Sequence, residues 1–436
     1  MATIAQQPNE TNSAYVPNVW TLDGLGTADR FVLEVEINGS VVSTIKQPAN
    51  PAGVAHFDVQ KILQSYLEPT FVETTEKATD TDGIYLSYQV RALTETGTEL
   101  NEDDAITSGT KYVINAYDNW RVLNSDFSDF IPEPGSITCP NTNINARYTS
   151  QYNFLTNYPE TTYKVRSDEY KTLSFFSRVE VGGTNFGPNE APFFVKITTP
   201  AETFIYPLTD PNGSSLRTDC TDMTVSFTDD NSITTIGVGP KNIDDLLLYS
   251  PASYDIEVYS YNNCESAAIS DCEDISELAD YLGDVIFSAS FEVVDDCTPF
   301  EPVTVSFINQ YGAKDYFTFD RRNTRVVNTN RNEYNKATGT WSASSFSIDQ
   351  QGRGRTVFSS YADTQMTLQS NWMTDEMSTW LEELYVSPSV MAYIDGQWEP
   401  VVISSRTYEE KSYARNRMFQ HELTIDFANN KKIQRG

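Results

Sequence analysis

Two histidines and five cysteines are the side chains best suited to nucleophilic or metal chemistry in this chain. Imidazole catalysis needs a histidine beside a nucleophile oriented by a third group. His56 precedes Asp58, and His421 sits inside an alternating apolar pattern. Neither neighbours a G-x-S-x-G or reactive-cysteine signature, so both read as structural. Cys139, Cys220, Cys264, Cys272 and Cys297 form no C-x-x-C pair and lie far from the histidines. That spacing argues against structural zinc. An odd count without a secretory leader suits buried thiols in a reducing compartment, with a Cys272–Cys297 bridge as the alternative. Both Gly-rich phosphate loops are absent. Carboxylates are abundant, but no spacing marks out a glycosidase pair. Asp80-Thr81-Asp82-Gly83 and Asp210-Pro211-Asn212-Gly213 resemble pieces of calcium loops, yet each lacks the downstream bidentate Glu and reads as a turn. The expectation is a non-enzyme with no catalytic residue, metal or cofactor.

Cations present a clearer pattern. Arg321, Arg322, Arg325, Arg331 and Lys336 cluster, with Arg353 and Arg355 nearby. The whole chain carries 30 Lys+Arg against 61 Asp+Glu, a formal charge of −31. Such a surface repels phosphate, so direct nucleic-acid binding is not expected. Residues 301–436 hold 15 basic and 16 acidic side chains, whereas residues 1–300 hold 15 and 45. No Lys or Arg occurs from Ile243 to Ala313. The six arginines therefore read as inter-subunit docking groups facing an acidic neighbour.

The elements that would position them are strands. Phe31–Ile37, Asn38-Gly39 and Val41–Ile45 predict a hairpin with a primed turn. Ile84–Leu93 with a turn at Gly97, then Tyr112–Tyr117, predict further strands. Val390–Ile394, Asp395-Gly396 and Trp398–Ile403 predict a second tight hairpin, with Met418–Phe427 pairing alongside. Short helices are expected after the caps Asp58 and Thr374, over Ile275–Leu282, and in the I-D-D-L-L-L-Y run ending at Tyr249. Polar stretches at Thr74–Gly83, Asn101–Gly109, Pro132–Asn145 and Asn328–Ser345 read as long loops. The fold class is mainly β, with two or more β-sandwich-like modules and a few short helices. The expected organisation is a flexible polar arm over 1–18, a β-sandwich over 19–130, an acidic β-rich middle over 131–300 and a β-rich docking domain over 301–436. No stretch nears the roughly 18 apolar residues of a membrane span, and the first twenty residues lack the basic and apolar regions of a leader peptide.

Val305–Arg322 (VSFINQYGAKDYFTFDRR), Tyr334–Lys336, Ser370–Val390, Glu399–Tyr413 and His421–Arg435 resemble virion structural proteins of tailed bacteriophages, including crAss-like phages of Bacteroidetes. Phe31–Leu67 is similar to the opening sandwich module of those proteins. The resemblance covers about half the chain, at its two ends, and carries no catalytic residue. It implies a place in the tail, neck or baseplate of a virion assembled in the host cytoplasm. The implied partners are a cyclic homo-oligomer and adjacent tail proteins. The alternatives are a host-glycan-binding adhesive module and a carboxylate-based glycoside hydrolase.

Overall fold

The computed structural model describes residues 2–67, 77–80, 83–117, 122–132, 134–135, 147–148, 150–177, 193–208, 232–261, 279, 282–295, 299–337, 339–348, 350–351, 354–405, 419–429 and 432–435. The architecture is mainly β, with sheets layered into sandwich-like modules. Two compact units divide the chain: Met1–Asp295 with Ile308–Asp315, and Asp296–Phe307 with Tyr316–Gly436.

The first unit contains two sandwiches. In one, Thr3–Gln6, Val19–Asp23 and Ala55–Asp58 face a larger sheet ordered Thr11–Ser13, Lys111–Ile114, Tyr85–Thr96, Arg30–Ile37, Ser40–Gln47. Trp20, Leu22 and Phe57 interleave with Leu33, Val35, Val90 and Val113 to fill the space between them. In the other, the sheet Thr162–Val165, Leu282–Val293, Ser253–Tyr261, Phe193–Thr198, Thr203–Leu208 covers Thr172–Ser177, Ser232–Gly237 and Ala78–Asp80. Its centre is aromatic: Phe175 lies 4.8 Å from Phe287, and Tyr254 stacks on Phe291 at 4.8 Å. A third cluster, with Ile114, Phe127, Leu155, Phe176 and Ala313, joins the two. The expected border at 130/131 therefore separates no units. Ala78–Asp80, from the 19–130 stretch, completes a sheet of the 131–300 stretch, because its pairing partner is more than 150 residues away.

The arm over 1–18 is also corrected: it is built into the fold. Thr3–Gln6 pairs antiparallel with Val19–Asp23, and Thr11–Ser13 runs parallel to Lys111–Ile114. Ala2, Ala14 and Val16 are fully buried. The polar residues that suggest solvation instead satisfy local backbone and one another. Asn18 Nδ2 donates to the carbonyls of Ser13 (3.1 Å) and Val16 (3.0 Å), and Asn12 Nδ2 donates to Asn18 Oδ1 (3.2 Å).

Local turn chemistry works as expected at both tight hairpins. Asn38 and Gly39 have φ of 51° and 70°, and Asp395 and Gly396 have 53° and 81°, the left-handed pair a primed turn requires. Asp58 Oδ1 accepts from Gln60 N at 3.0 Å at the start of α1 (Gln60–Gln64). The I-D-D-L-L-L-Y run forms α2 (Asp244–Tyr249). Of Ile275–Leu282, residues 275–278, 280 and 281 lie outside the described residues, as do all five cysteines; Ala279 is helical and Leu282 begins a strand. Of the two calcium-loop fragments, only Asp80 and Gly83 are described.

The second unit is built on one antiparallel sheet ordered Lys314–Phe319, Val303–Ile308, Val390–Ile394, Gln397–Ile403, Glu422–Phe427, Arg355–Gln369, Asn323–Asn335. Lys432–Arg435 adds to Arg355–Gln369. Helix α3 (Asp375–Val386) starts at Thr374, whose Oγ1 accepts from Met377 N at 3.3 Å. Its buried face is Met377, Trp380, Leu381 and Leu384, and the Trp380 ring lies 5.5 Å from Phe307.

Candidate assembly surface

The Asn328–Ser345 stretch, expected to be a loop, is for the most part strand. Asn323–Asn335 pairs in continuous antiparallel register with Arg355–Gln369, from Asn323↔Leu368 to Asn335↔Arg355, with one bulge beside Asn332/Glu333. Thirteen residues without Gly or Pro, with Val326, Val327 and Thr329 among them, accommodate the pleat. The asparagines bond across the strands rather than to their own backbone. Asn330 Nδ2 donates to Tyr361 Oη at 2.7 Å, and Asn332 Nδ2 to Ser359 Oγ at 3.0 Å.

The Asn323–Asn335 strand buries nothing of its own. Every residue from Thr324 to Ala337 is exposed. Among the described residues Asn323–Asn335 is also the last strand of its sheet, so its outer edge offers backbone donors and acceptors that no described strand pairs. At the ribbon's end a small hairpin, Gly339–Trp341 with Phe346–Ile348, presents a bare apolar tip. Trp341 is 80% exposed, Ile348 69% and Phe346 45%. The Trp341 and Phe346 rings are 4.6 Å apart, tilted by 44°. A Cβ at Gly339 would come within 2.4 Å of Phe346 Cζ and 2.5 Å of the Ser347 carbonyl, so only glycine lets that ring lie across the hairpin.

The clustered arginines become a line along the ribbon. The pleat puts Arg325 and Arg331 on one face, and the register places Arg355 on that same face opposite Asn335. Arg325 spans to Asp395 (3.5 Å) with its guanidinium 5.0 Å from the Phe427 ring centroid. Arg355 pairs closely with Glu333. Arg321 Nε donates to Asn371 Oδ1 at 3.3 Å near the ribbon's base. Arg322, Arg331 and Lys336 are exposed and have no ion-pair partner among the described residues. Arg353 lies outside the described residues. The apolar tip was missed by sequence reasoning. The signals that could have found it were the Gly/Pro-free run from Arg321 to Ala337 and the T-W then F-S-I alternation after Gly339.

Both histidines have hydroxyl partners. His56 Nδ1 lies 2.9 Å from Thr21 Oγ1, and His421 Nε2 lies 2.7 Å from Ser378 Oγ on α3. Ser378 and His421 are 3% and 8% exposed, packed where helix meets sheet. Among the described residues no group of His, Cys, Asp and Glu is arranged to hold a metal ion, and no helix is long and apolar enough to cross a membrane.

No family model and no curated protein matches the chain. Among solved structures, fibronectin(III)-like modules of CbhA from Clostridium thermocellum align at 9% identity. That alignment covers 69% of this chain and 100% of theirs, with a TM-score of 0.15.

Proposed function

We propose that this chain is a structural subunit of a phage virion tail or connector, self-associating into a ring and binding adjacent tail proteins. The observation that carries the assembly part is the exposed edge strand with its apolar tip. Among the described residues only the outer end of the ribbon, 332–335 with 355–358, has no third strand beside it. A two-stranded stretch is at best marginally stable in water, and an edge strand invites pairing, so this end is favoured when a partner covers it. Its composition suits protein contact: a line of arginines on one face, an asparagine ladder on the other, and aromatic anchors of the kind that dominate interfaces at the end. The virion part rests on the resemblance of the end segments.

Mass photometry of the full chain across a concentration series tests the assembly reading. A closed oligomer is expected, and it is lost in a Trp341→Ser/Phe346→Ser double variant. A wild-type monomer throughout, alone and with co-expressed neighbours, overturns the reading. Peptides of this chain in purified virions test the location.

A further inference from the structure

If the ribbon tip docks on another copy, that copy must offer a counter-surface. The first unit carries a second exposed apolar cluster, on α2. The inward face of α2 is conventional, with Ile243 and Leu246 fully buried. Its outward side combines one solvated acid, Asp244, with exposed apolar groups: Leu247 is 51% exposed, Leu248 76% and Tyr249 47%. Consecutive large apolar side chains left this exposed form a patch of the kind that marks an interaction site. Phe204, 5.5 Å from the Tyr249 ring, extends the patch onto the neighbouring sheet.

Charge sets the two patches against each other. The α2 patch is rimmed by Asp244, whose side chain is 90% exposed and lies 3.9 Å from Lys77 Nζ, and by Asp245, which holds the Tyr206 hydroxyl. The tip is flanked by Arg331, Lys336 and the Arg355–Glu333 pair. Two tips meeting each other would bring these cations face to face, a like-charge contact that interfaces avoid. We propose that the exposed face of α2 in one copy receives the Trp341/Phe346/Ile348 tip of a second copy of this chain. This deepens the ring reading and rests on it. Such a contact is heterologous, using different surfaces on the two copies, and therefore propagates into a ring or filament instead of stopping at a dimer.

The test uses Leu248→Asp and Trp341→Asp in the full chain, each checked by thermal melting. Both side chains are mostly exposed, so both variants should melt like the parent. Each alone should weaken self-association by about 10–100-fold, the value of one large apolar side chain left wet beside a charge. Mixed together, they should form a 1:1 heterodimer and nothing larger, because each retains one intact face. If Trp341→Asp blocks assembly while Leu248→Asp assembles normally, assembly through the tip stands and the α2 assignment falls. A mixture that stays monomeric also overturns the assignment. If neither substitution changes a wild type that is itself monomeric, the assembly reading fails. Should either variant melt early, Leu248→Ser and Trp341→Ser read the same outcomes without the added charge.

Discussion

Replacing Asn309 should unfold the first unit early, by an amount the structure lets one work out. Asn309 is 2% exposed and sits in the Ile308–Asp315 segment. Its Nδ2 donates to the Leu155 carbonyl at 2.7 Å. Its Oδ1 accepts from Tyr311 N at 2.9 Å and Ala313 N at 3.1 Å. Asn309→Ala removes all three bonds and leaves their partners without that side chain. At roughly 1 kcal/mol per net hydrogen bond, and more where an orphaned group stays dry, the loss is about 3–5 kcal/mol. In a unit of this size each kcal/mol lowers Tm by roughly 1.5–2 °C, so the transition should fall by about 5–10 °C. Calorimetry reads it, following the transition of larger enthalpy, which belongs to the larger unit. Asn309→Asp sharpens the test. It keeps the acceptor for both amides but sets an oxygen against the Leu155 carbonyl. The introduced carboxyl regains a donor only when protonated, so this variant should recover stability relative to wild type as pH falls through the carboxylate range. A shift under about 2 °C for Asn309→Ala, or an Asn309→Asp deficit that does not narrow in acid, would refute the accounting.

Glycine positions should separate by space as well as by φ. Gly312 has φ +78° and a Cβ there would stand 2.6 Å from the Asn115 carbonyl oxygen, whereas Gly97 (φ +65°) meets nothing within 4 Å. Gly97→Ala should therefore cost about 1 kcal/mol and Gly312→Ala about 3 kcal/mol or more, read by denaturant titration. In the second unit, Trp380→Ala should cost about 3–5 kcal/mol and abolish its cooperative near-ultraviolet transition. Alkaline pH should undermine the first unit. Burial raises the phenol pKa values of Tyr88, Tyr158, Tyr163 and Tyr254 above the ordinary 10.0. The unfolded chain then releases those protons first, so stability is intact below pH 10 and drains away above it, by about 1.4 kcal/mol per pH unit per phenol. Absorbance at the tyrosinate band should show these four still neutral in the native protein when exposed phenols have ionised. Lys171 works the other way. Burial lowers its pKa below 10.5 against the pull of Glu169 and Asp315, with Nζ 5.2 Å from the Tyr163 ring centroid and 5.4 Å from that of Tyr158. Its contribution rises as pH climbs from the folded pKa to 10.5, and Lys171→Met should flatten that rise.

What could be read in the sequence was what local chemistry decides. Asn38-Gly39 and Asp395-Gly396 name their turns because few other residues take φ > 0 at both positions. Thr374 with the Met377, Trp380, Leu381, Leu384 spacing specifies α3 by itself. The errors share one cause, which is pairing with distant partners. The Asn328–Asn335 stretch reads as loop by its Asn and Thr content, yet its partner strand, from Arg355 onward, supplies the hydroxyls that occupy those amides. The arm over 1–18 reads as solvated, yet Lys111–Ile114 gives it a ladder. The docking arginines were legible as a cluster but not as a line, because only the register of Asn323–Asn335 against Arg355–Gln369 fixes which of them share a face.

The order in which the chain visits its two units bears on how the protein can be made and divided. Met1–Asp295 is not the whole of the first unit, since Ile308–Asp315 belongs to it and carries Asn309, Gly312 and Asp315. Domains usually fold as they leave the ribosome, the N-terminal one first. Here the first unit cannot close until the opening strand of the second, Val303–Ile308, has also been synthesised. The natural cut for expressing the first unit alone is therefore after Asp315 rather than at the expected 300/301 border, where the charge balance changes. A fragment ending at Asp295 would expose the Leu155 carbonyl and the Asn115 backbone that the missing turn covers, and should be prone to aggregate.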